Sequence, residues 1–106
     1  MEEITFCTRC CLDEEGHMHR FRYSLLISTI PAGQFQFEDY GVKVEEAGAD
    51  TVSLPSLTHN RTRIEALLSL LVQHAVTPIN LPEIAEDWAK ENHLPQPKLQ
   101  QVADAQ

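Results

Sequence analysis

The sequence predicts an α+β fold, in which a four-stranded antiparallel meander sheet is followed by two C-terminal helices packed on one face. Strand-forming segments separated by Gly-containing turns fill the first half of the chain, and an apolar stripe of helical spacing and a second capped helix fill the rest. A chain of 106 residues suffices for one domain. We expect residues 1–94 to form this domain and residues 95–106, which are rich in Pro and Gln, to be a flexible tail.

The first two strands form a predicted hairpin from Ile4 to Leu12 and from His17 to Ile30, with a four-residue turn at Asp13 to Gly16. Such a turn pairs Leu12 with His17, Cys10 with His19, Arg9 with Arg20 and Phe6 with Tyr23. The face expected to be the core face carries Ile4, Phe6, Thr8, Cys10, Leu12, His19, Phe21, Tyr23, Leu25 and Ile27. The face expected to meet solvent or a partner carries Cys7, Arg9, Cys11, Met18, Arg20, Arg22 and Ser24.

The third strand shows a change of phase, because Phe35 and Phe37 are odd-numbered whereas Tyr40, Val42 and Val44 are even-numbered. A β-bulge around Glu38, Asp39 and Gly41 would bring all five side chains to one face, and we predict one there. The alternating segment from Thr51 to Leu54 predicts a short fourth strand that ends at Pro55.

Two helices follow the predicted sheet. Asn60 can cap the first helix, and its apolar stripe consists of Ile64, Leu67, Leu68, Leu71, Val72 and Ala75. Leu70 lies outside this stripe and widens the apolar surface beyond what contact with a sheet requires. The second helix is expected after Asn80, with Pro82 in its first turn, and is expected to end near His93.

The segments Tyr40-Gly41-Val42-Lys43-Val44 and Val52-Ser53-Leu54-Pro55-Ser56-Leu57-Thr58, then the Leu-rich helix and Thr77-Pro78-Ile79-Asn80-Leu81 through Trp88, carry a family resemblance. This succession resembles the short bacterial, Firmicutes-type proteins called domain of unknown function 6514. The resemblance implies a fold and no known activity. In that family the link often reads Ser-Pro-x-His-Leu, whereas this chain has Asn80 at the His position, which argues against a catalytic or metal role there.

Composition excludes several functional classes. The net charge of −8 disfavours direct binding to nucleic acid and to anionic membranes, and neither a signal peptide nor a membrane-spanning segment is recognisable. Three cysteines form a poor disulfide framework, so we expect a cytoplasmic protein. No phosphate-binding glycine loop, nucleophile elbow or acid/base pair is present, so we expect neither an enzyme nor a cofactor.

Cys7, Cys10, His17 and His19 supply the ligand types that tetrahedral zinc prefers. Residues three apart in a regular strand point to opposite faces, so Cys7 and Cys10 would need a tight knuckle to meet on one metal. We therefore expect no metal site, and we keep a zinc-binding or thiol-redox protein as an alternative.

Arg9, Arg20 and Arg22 form a predicted basic island in an acidic chain, on the strand face expected to lie away from the helices. Together with Leu70 they are the predicted interaction residues. The function we expect is that of a noncatalytic protein-binding or regulatory module, acting on an unknown protein partner or as a homodimer. An acidic mimic of nucleic acid is a further alternative, and it requires carboxylates arrayed on one face.

Overall fold

The computed structural model describes residues 1–93 and has the predicted α+β architecture. Its elements are β1 (Glu2–Leu12), β2 (Met18–Ala32), β3 (Phe35–Glu46), β4 (Thr51–Thr58), α1 (Arg61–Gln73) and α2 (Leu81–His93). The four strands form an antiparallel sheet in the order β1-β2-β3-β4. The tail predicted for residues 95–106 lies outside the described residues. None of the helices described within residues 1–93 has the length and apolar character needed to cross a membrane.

The core lies between the sheet and α1, which contacts all four strands, while α2 packs against β4. It is formed by Phe21, Tyr23, Leu25, Ile27, Tyr40, Val42, Val44, Ile64, Leu67, Leu68, Leu71, Val76 and Leu81. Tyr23 also fixes the link between the helices, because its buried hydroxyl donates a 2.9 Å hydrogen bond to the carbonyl oxygen of Val76. Burial raises the pKa of Tyr23 to about 12.

The register predicted for the β1–β2 hairpin is wrong by one residue next to the turn. Leu12 pairs with Met18 and Cys10 with Arg20. The turn has five residues because the Asp13 carboxylate accepts hydrogen bonds from the backbone N–H groups of Glu15, at 2.9 Å, and His17, at 2.8 Å. The Asp13 N–H closes the loop by donating to the carbonyl oxygen of His17.

A β-bulge between Thr5 and Cys7 then changes the alternation of β1. The predicted register holds only before it, where Ile4 pairs with Leu25. After the bulge the predicted faces are reversed. Cys7, Arg9 and Cys11 lie half-buried on the helix side, whereas Thr8, Cys10 and Leu12 are exposed on the other side.

The β-bulge predicted within β3 is also misplaced. β3 pairs with β2 without interruption from Glu46 to Phe35, so Phe35 and Phe37 lie on the face opposite Tyr40, Val42 and Val44. The irregularity occurs in β4, which extends to Thr58 instead of ending at Pro55. Three of its residues, 55–57, lie opposite Gly41 alone. A Cβ on Gly41 would lie 2.5 Å from the Pro55 Cα, so the approach of β4 requires glycine.

Both ends of α1 have a defined cap. The Asn60 side chain accepts a 3.1 Å hydrogen bond from the Arg63 N–H, as predicted for an N-cap. At the other end, the Val76 N–H bonds to the Leu71 carbonyl oxygen and the Ala75 N–H to that of Val72. This pattern is a Schellman motif, in which Ala75 adopts the left-handed conformation, with a φ of 50°, that glycine usually occupies.

Candidate interaction surface

One face of the sheet carries no helix among residues 1–93, since α1 and α2 both lie on the core side. We call it the open face. Strand register and alternation assign to it Glu3, Thr5, Thr8, Cys10 and Leu12 of β1, Met18, Arg20, Arg22, Ser24, Leu26, Ser28, Ile30 and Ala32 of β2, Phe35, Phe37, buried Asp39, Gly41, Lys43 and Glu45 of β3, and Thr51 and Ser53 of β4.

The middle of the open face is charged. Arg22 donates from Nε and Nη2 to Glu45 Oε2, at 2.9 and 2.7 Å. Lys43 Nζ lies 3.1 Å from Glu3 Oε1 and 3.8 Å from Glu45 Oε2. With Arg20, these residues form what we call the charged band. Its three cations and two carboxylates give a net charge of +1, in a chain whose net charge is −8.

Arg20 is the cation of the charged band that has no ion pair. Among the side chains that the structure describes, those of residues 1–90, no carboxylate oxygen lies within 4.0 Å of its side-chain nitrogens. It lines an open cleft of about 430 Å³ together with Thr8, Arg22, Glu45 and Ala47. A carboxylate from outside the chain can therefore pair with Arg20 without displacing an internal partner.

Two apolar patches flank the charged band. The hairpin-end patch, at the far end of β2 and β3, consists of the cross-strand pairs Ile30–Phe37 and Ala32–Phe35. Its large side chains are strongly exposed, at 41% for Ile30, 52% for Phe37 and 72% for Phe35. The turn-side patch is the cross-strand pair Leu12–Met18, with exposures of 66% and 62%. Clustered exposed apolar side chains of this kind are typical of binding surfaces.

The part of the sheet between these patches is already shielded from solvent. Ser24 and Leu26 belong to the open face by alternation, yet they are buried. Ser24 lies between Thr5 and Lys43, its cross-strand neighbours, beneath the ion pairs of the charged band. Its hydroxyl has no hydrogen-bond partner within the part of the chain that the structure describes. The side chains of the charged band therefore cover Ser24 and Leu26.

The structure separates the three predicted interaction arginines. Arg20 and Arg22 lie on the open face, but Arg9 points to the helix side, because the β1 register differs from the predicted one. Arg9 Nη1 donates to the carbonyl oxygens of Val72, at 2.6 Å, and Gln73, at 3.0 Å. These carbonyls belong to the last turn of α1, where a cation is favourable. Arg9 thus has a structural role.

The predicted contact residue Leu70 lies on α1, away from the open face. Its side chain is 39% exposed, less than those of the hairpin-end patch. It belongs to a helix whose buried stripe already packs on the sheet. Leu70 is therefore a single apolar side chain at the surface, a common feature of soluble proteins that requires no partner.

The cysteine and histidine residues of the zinc hypothesis do not meet at one point. Cys7 pairs with Tyr23 on the core side, whereas Cys10 pairs with Arg20 on the open face. All three cysteines are free thiols. Within residues 1–93, the ligand atoms that lie within 4.8 Å of one another in a group of three belong to exposed Asp13, Glu15 and His17. The Asp13 carboxylate already accepts hydrogen bonds within the β1–β2 turn.

His19 joins the turn to β3. Its Nε2 lies 2.9 Å from Asp13 Oδ2 and its Nδ1 lies 2.7 Å from Glu46 Oε2. The hydrogen bonds to Asp13 and then Glu46 raise the pKa of His19, and the hydrogen bond from His19 in turn lowers the pKa of Asp13. The imidazole stacks on Phe21 beside a cleft of about 320 Å³ that Cys11 also lines. Both ring nitrogens have a carboxylate partner, so His19 links the β1–β2 turn to β3.

Sequence reasoning missed the hairpin-end patch. The predicted bulge places Phe35 and Phe37 on the core face together with Tyr40, and this prediction is wrong. Strict alternation without a bulge places both on the opposite face, which is where they lie. The parity of the residue numbers was the signal that could have identified this surface.

The chain belongs to a family of unknown function (DUF6514), which matches residues 2–91. The match spans both helices and the entire sheet, so the open face lies within the family's own fold. Neither a curated protein nor a solved structure shows a significant match to the chain.

Proposed function

We propose that this protein is a noncatalytic protein-binding module and that the open face of its sheet is the contact surface. The observation that carries the proposal is the hairpin-end patch, where Phe35, Phe37 and Ile30 are exposed side by side on a face without a helix. Aromatic side chains are enriched at protein interfaces because they bury much area at low entropic cost.

The charged band supplies specificity for the same contact. A charged band of net charge +1, in a chain of net charge −8, steers a partner's carboxylates toward Arg20 and its neighbours. The two patches supply apolar area on either side. A patterned surface of this kind is suited to a folded or extended protein partner.

The two alternatives lack a comparable arrangement. A zinc or thiol-redox site would use Cys7 and Cys10, which lie on opposite faces of β1. A nucleic-acid mimic would need free carboxylates arrayed on its contact surface, whereas Glu3 and Glu45 of the open face are each paired with a Lys or Arg. The free thiols fit a reducing compartment, and we propose that the protein acts in the cytoplasm.

A comparison of three baits in an extract of the native host tests this proposal. We expect wild type to retain a specific partner, the untagged chain counting as one, and the variant Phe35→Ser/Phe37→Thr to lose it. Leu70→Glu, a matched control on α1, should retain it. Circular dichroism must show the same fold for all baits. Retention of identical partners by the Phe35→Ser/Phe37→Thr bait, or no specific partner for wild type, would overturn the proposal.

A further inference from the structure

We infer that the open face packs against the open face of a second copy of the chain, forming a symmetric dimer with two sheets face to face. This inference rests on the proposed function, since it uses the same surface and names the occupant. Three properties of the open face lead to it: its size, its pattern along the strands, and its charge relative to the rest of the chain.

The size of the open face matches that of a standard interface. Neighbouring strands lie about 4.8 Å apart and rise about 3.3 Å per residue, so four strands of roughly 12 residues present about 750 Å². Stable protein interfaces bury about 800 Å² on each partner. The hairpin-end patch alone would supply a fraction of that area, so the contact must extend along the strands to the charged band and the turn-side patch.

The pattern of the open face is self-complementary. The charged band lies between the hairpin-end patch and the turn-side patch, Leu12–Met18, so the strands read apolar, charged, apolar. A twofold axis in the interface plane that runs along β2 places each patch against its own copy, and one that runs across the strands makes the hairpin-end patch overlap the turn-side patch along β2. In both arrangements the charged band meets its own copy, as an isologous contact requires.

The charged band can pair with itself across such an axis. Arg20 has no carboxylate partner among the described side chains of residues 1–90, while Glu45 and Glu3 are paired with cations of neighbouring strands. Close approach of two copies lets each Arg20 share a carboxylate of the other band. The band carries both signs, so the two charge patterns can be offset against each other.

The distribution of charge also selects this face. Two chains of net charge −8 repel one another, and association is least unfavourable where the local charge is not negative. The open face has that property, because its charged band sums to +1 and buried Asp39 brings the face as a whole to zero. The helix side and the β1–β2 turn carry the excess of carboxylates, including Asp13, Glu15, Glu83 and Glu86. The resulting dimer has four layers, with the sheets about 10 Å apart and the helices outside.

Sedimentation velocity and light scattering on the full chain test the dimer. We expect wild type to have twice the 12.0 kDa chain mass at about 100 μM, and both Phe35→Ser/Phe37→Thr and Leu12→Ser/Met18→Thr to weaken dimerisation at least 30-fold. Leu70→Glu should dimerise like wild type. Because all substituted side chains except that of Leu70 lie on the open face, loss at both ends identifies a contact along its length.

Arg20→Glu provides a second measurement that does not depend on the apolar patches. It breaks no ion pair within the described residues, so the fold should be retained, and it changes the net charge of the band from +1 to −1. Dimerisation should weaken at least tenfold, and most strongly at low salt. A variant that dimerises as tightly as wild type at low salt would contradict the role of the band.

The outcomes separate this inference from the proposed function. A monomeric wild type that loses a different captured protein when Phe35 and Phe37 are replaced overturns the dimer and leaves the binding module standing. A monomeric wild type without any partner overturns both. A dimer that persists in both open-face double variants, or that Leu70→Glu abolishes, places the contact elsewhere and also overturns the inference.

Discussion

Arg9 Nη1 lies 2.6 Å from the carbonyl oxygen of Val72, which ties the edge strand β1 to the last turn of α1. A second hydrogen bond, to the Gln73 carbonyl oxygen at 3.0 Å, completes the contact. The guanidinium lies at the negative end of the helix, where it adds a second donor to the Val72 carbonyl, which also accepts from the Ala75 N–H, and a donor to the Gln73 carbonyl. The contact explains why one of three arginines in the hairpin is unavailable to a partner.

Replacement of Arg9 should therefore destabilise the fold. Arg9→Met keeps an apolar stem and removes the donors, and we expect the free energy of unfolding to fall by about 1–3 kcal/mol in urea denaturation. Arg20→Met is the matched control, since Arg20 makes no ion pair with the side chains that the structure describes, and it should change that free energy by less than about 0.5 kcal/mol in dilute solution. Equal losses for the two variants would contradict the assignment.

The His19 cluster should make stability depend on pH. Its folded-state pKa lies above the ordinary 6.5, so the stabilisation by imidazolium is fully present below pH 6.5 and is lost as the pH rises through the folded pKa. The urea midpoint of wild type should fall over that window, and His19→Gln should remove this fall. His74→Gln, at an exposed position, is the control and should behave like wild type. An NMR-measured His19 pKa at or below 6.5 would refute the prediction.

The pH dependence of stability that the Asp13 carboxylate contributes has the opposite sign to that of His19. Its pKa is lowered, first by the hydrogen bond with His19 and then by the His17 backbone N–H. Its stabilisation is therefore present above the ordinary value of 3.8 and is lost as the pH falls through the folded pKa. The cluster stabilises the fold most at pH values between these two titration ranges, where the carboxylate and the imidazolium are both charged.

Gly41→Ala should be severely destabilising. The new methyl group would meet the backbone of Leu54 and Pro55, which cannot move away as a flexible side chain would. We expect a loss of about 3 kcal/mol in thermal or urea unfolding. Gly33→Ala is the comparison, because it meets no atom within 4 Å but has a φ of +64°, and it should lose only about 1 kcal/mol. A smaller loss at Gly41 than at Gly33 would contradict the account of β4.

Ala75→Gly should stabilise the protein. Ala75 is held at a φ of 50° in the C-terminal cap of α1, a conformation that glycine adopts without steric cost. We expect the free energy of unfolding to rise by roughly 0.5–1 kcal/mol. Ala66→Gly, at an exposed position inside the same helix, should lower it by about 1 kcal/mol. Changes of the same sign at the two positions would show that the cap is not strained.

The fold was predictable because its signals are local. The Asn60 cap, the stripe from Ile64 to Leu71 and the alternating strands each depend on near neighbours along the chain. The faces of β1 and β3 could not be predicted, because the face of each strand depends on a single residue. The Asp13 side chain lengthens the turn by one residue, and an extra residue at Phe6 returns the register, so the faces of residues 7–12 are reversed.

The same two local features determine which residues of the binding surface the sequence can predict. The predicted face of Arg20 and Arg22 is correct because β2 lies inside the sheet and its alternation is regular. The predicted faces of Arg9 and Phe37 are wrong because they depend on the β1 turn and on the location of a bulge. The irregular part of β4 could not be inferred from Gly41 alone, since glycine in a strand is compatible with a bulge in either partner.

An NMR dilution series on the ¹⁵N-labelled full chain tests whether two open faces meet in solution. We predict that raising the concentration perturbs amide signals of the open face, including Met18, Arg20, Ile30 and Phe37, and leaves those around Leu70 on α1 unchanged. Perturbations that cluster on α1 or α2, or spectra that do not change with concentration while the mass remains 12.0 kDa, would contradict the claim that the open faces of two copies meet.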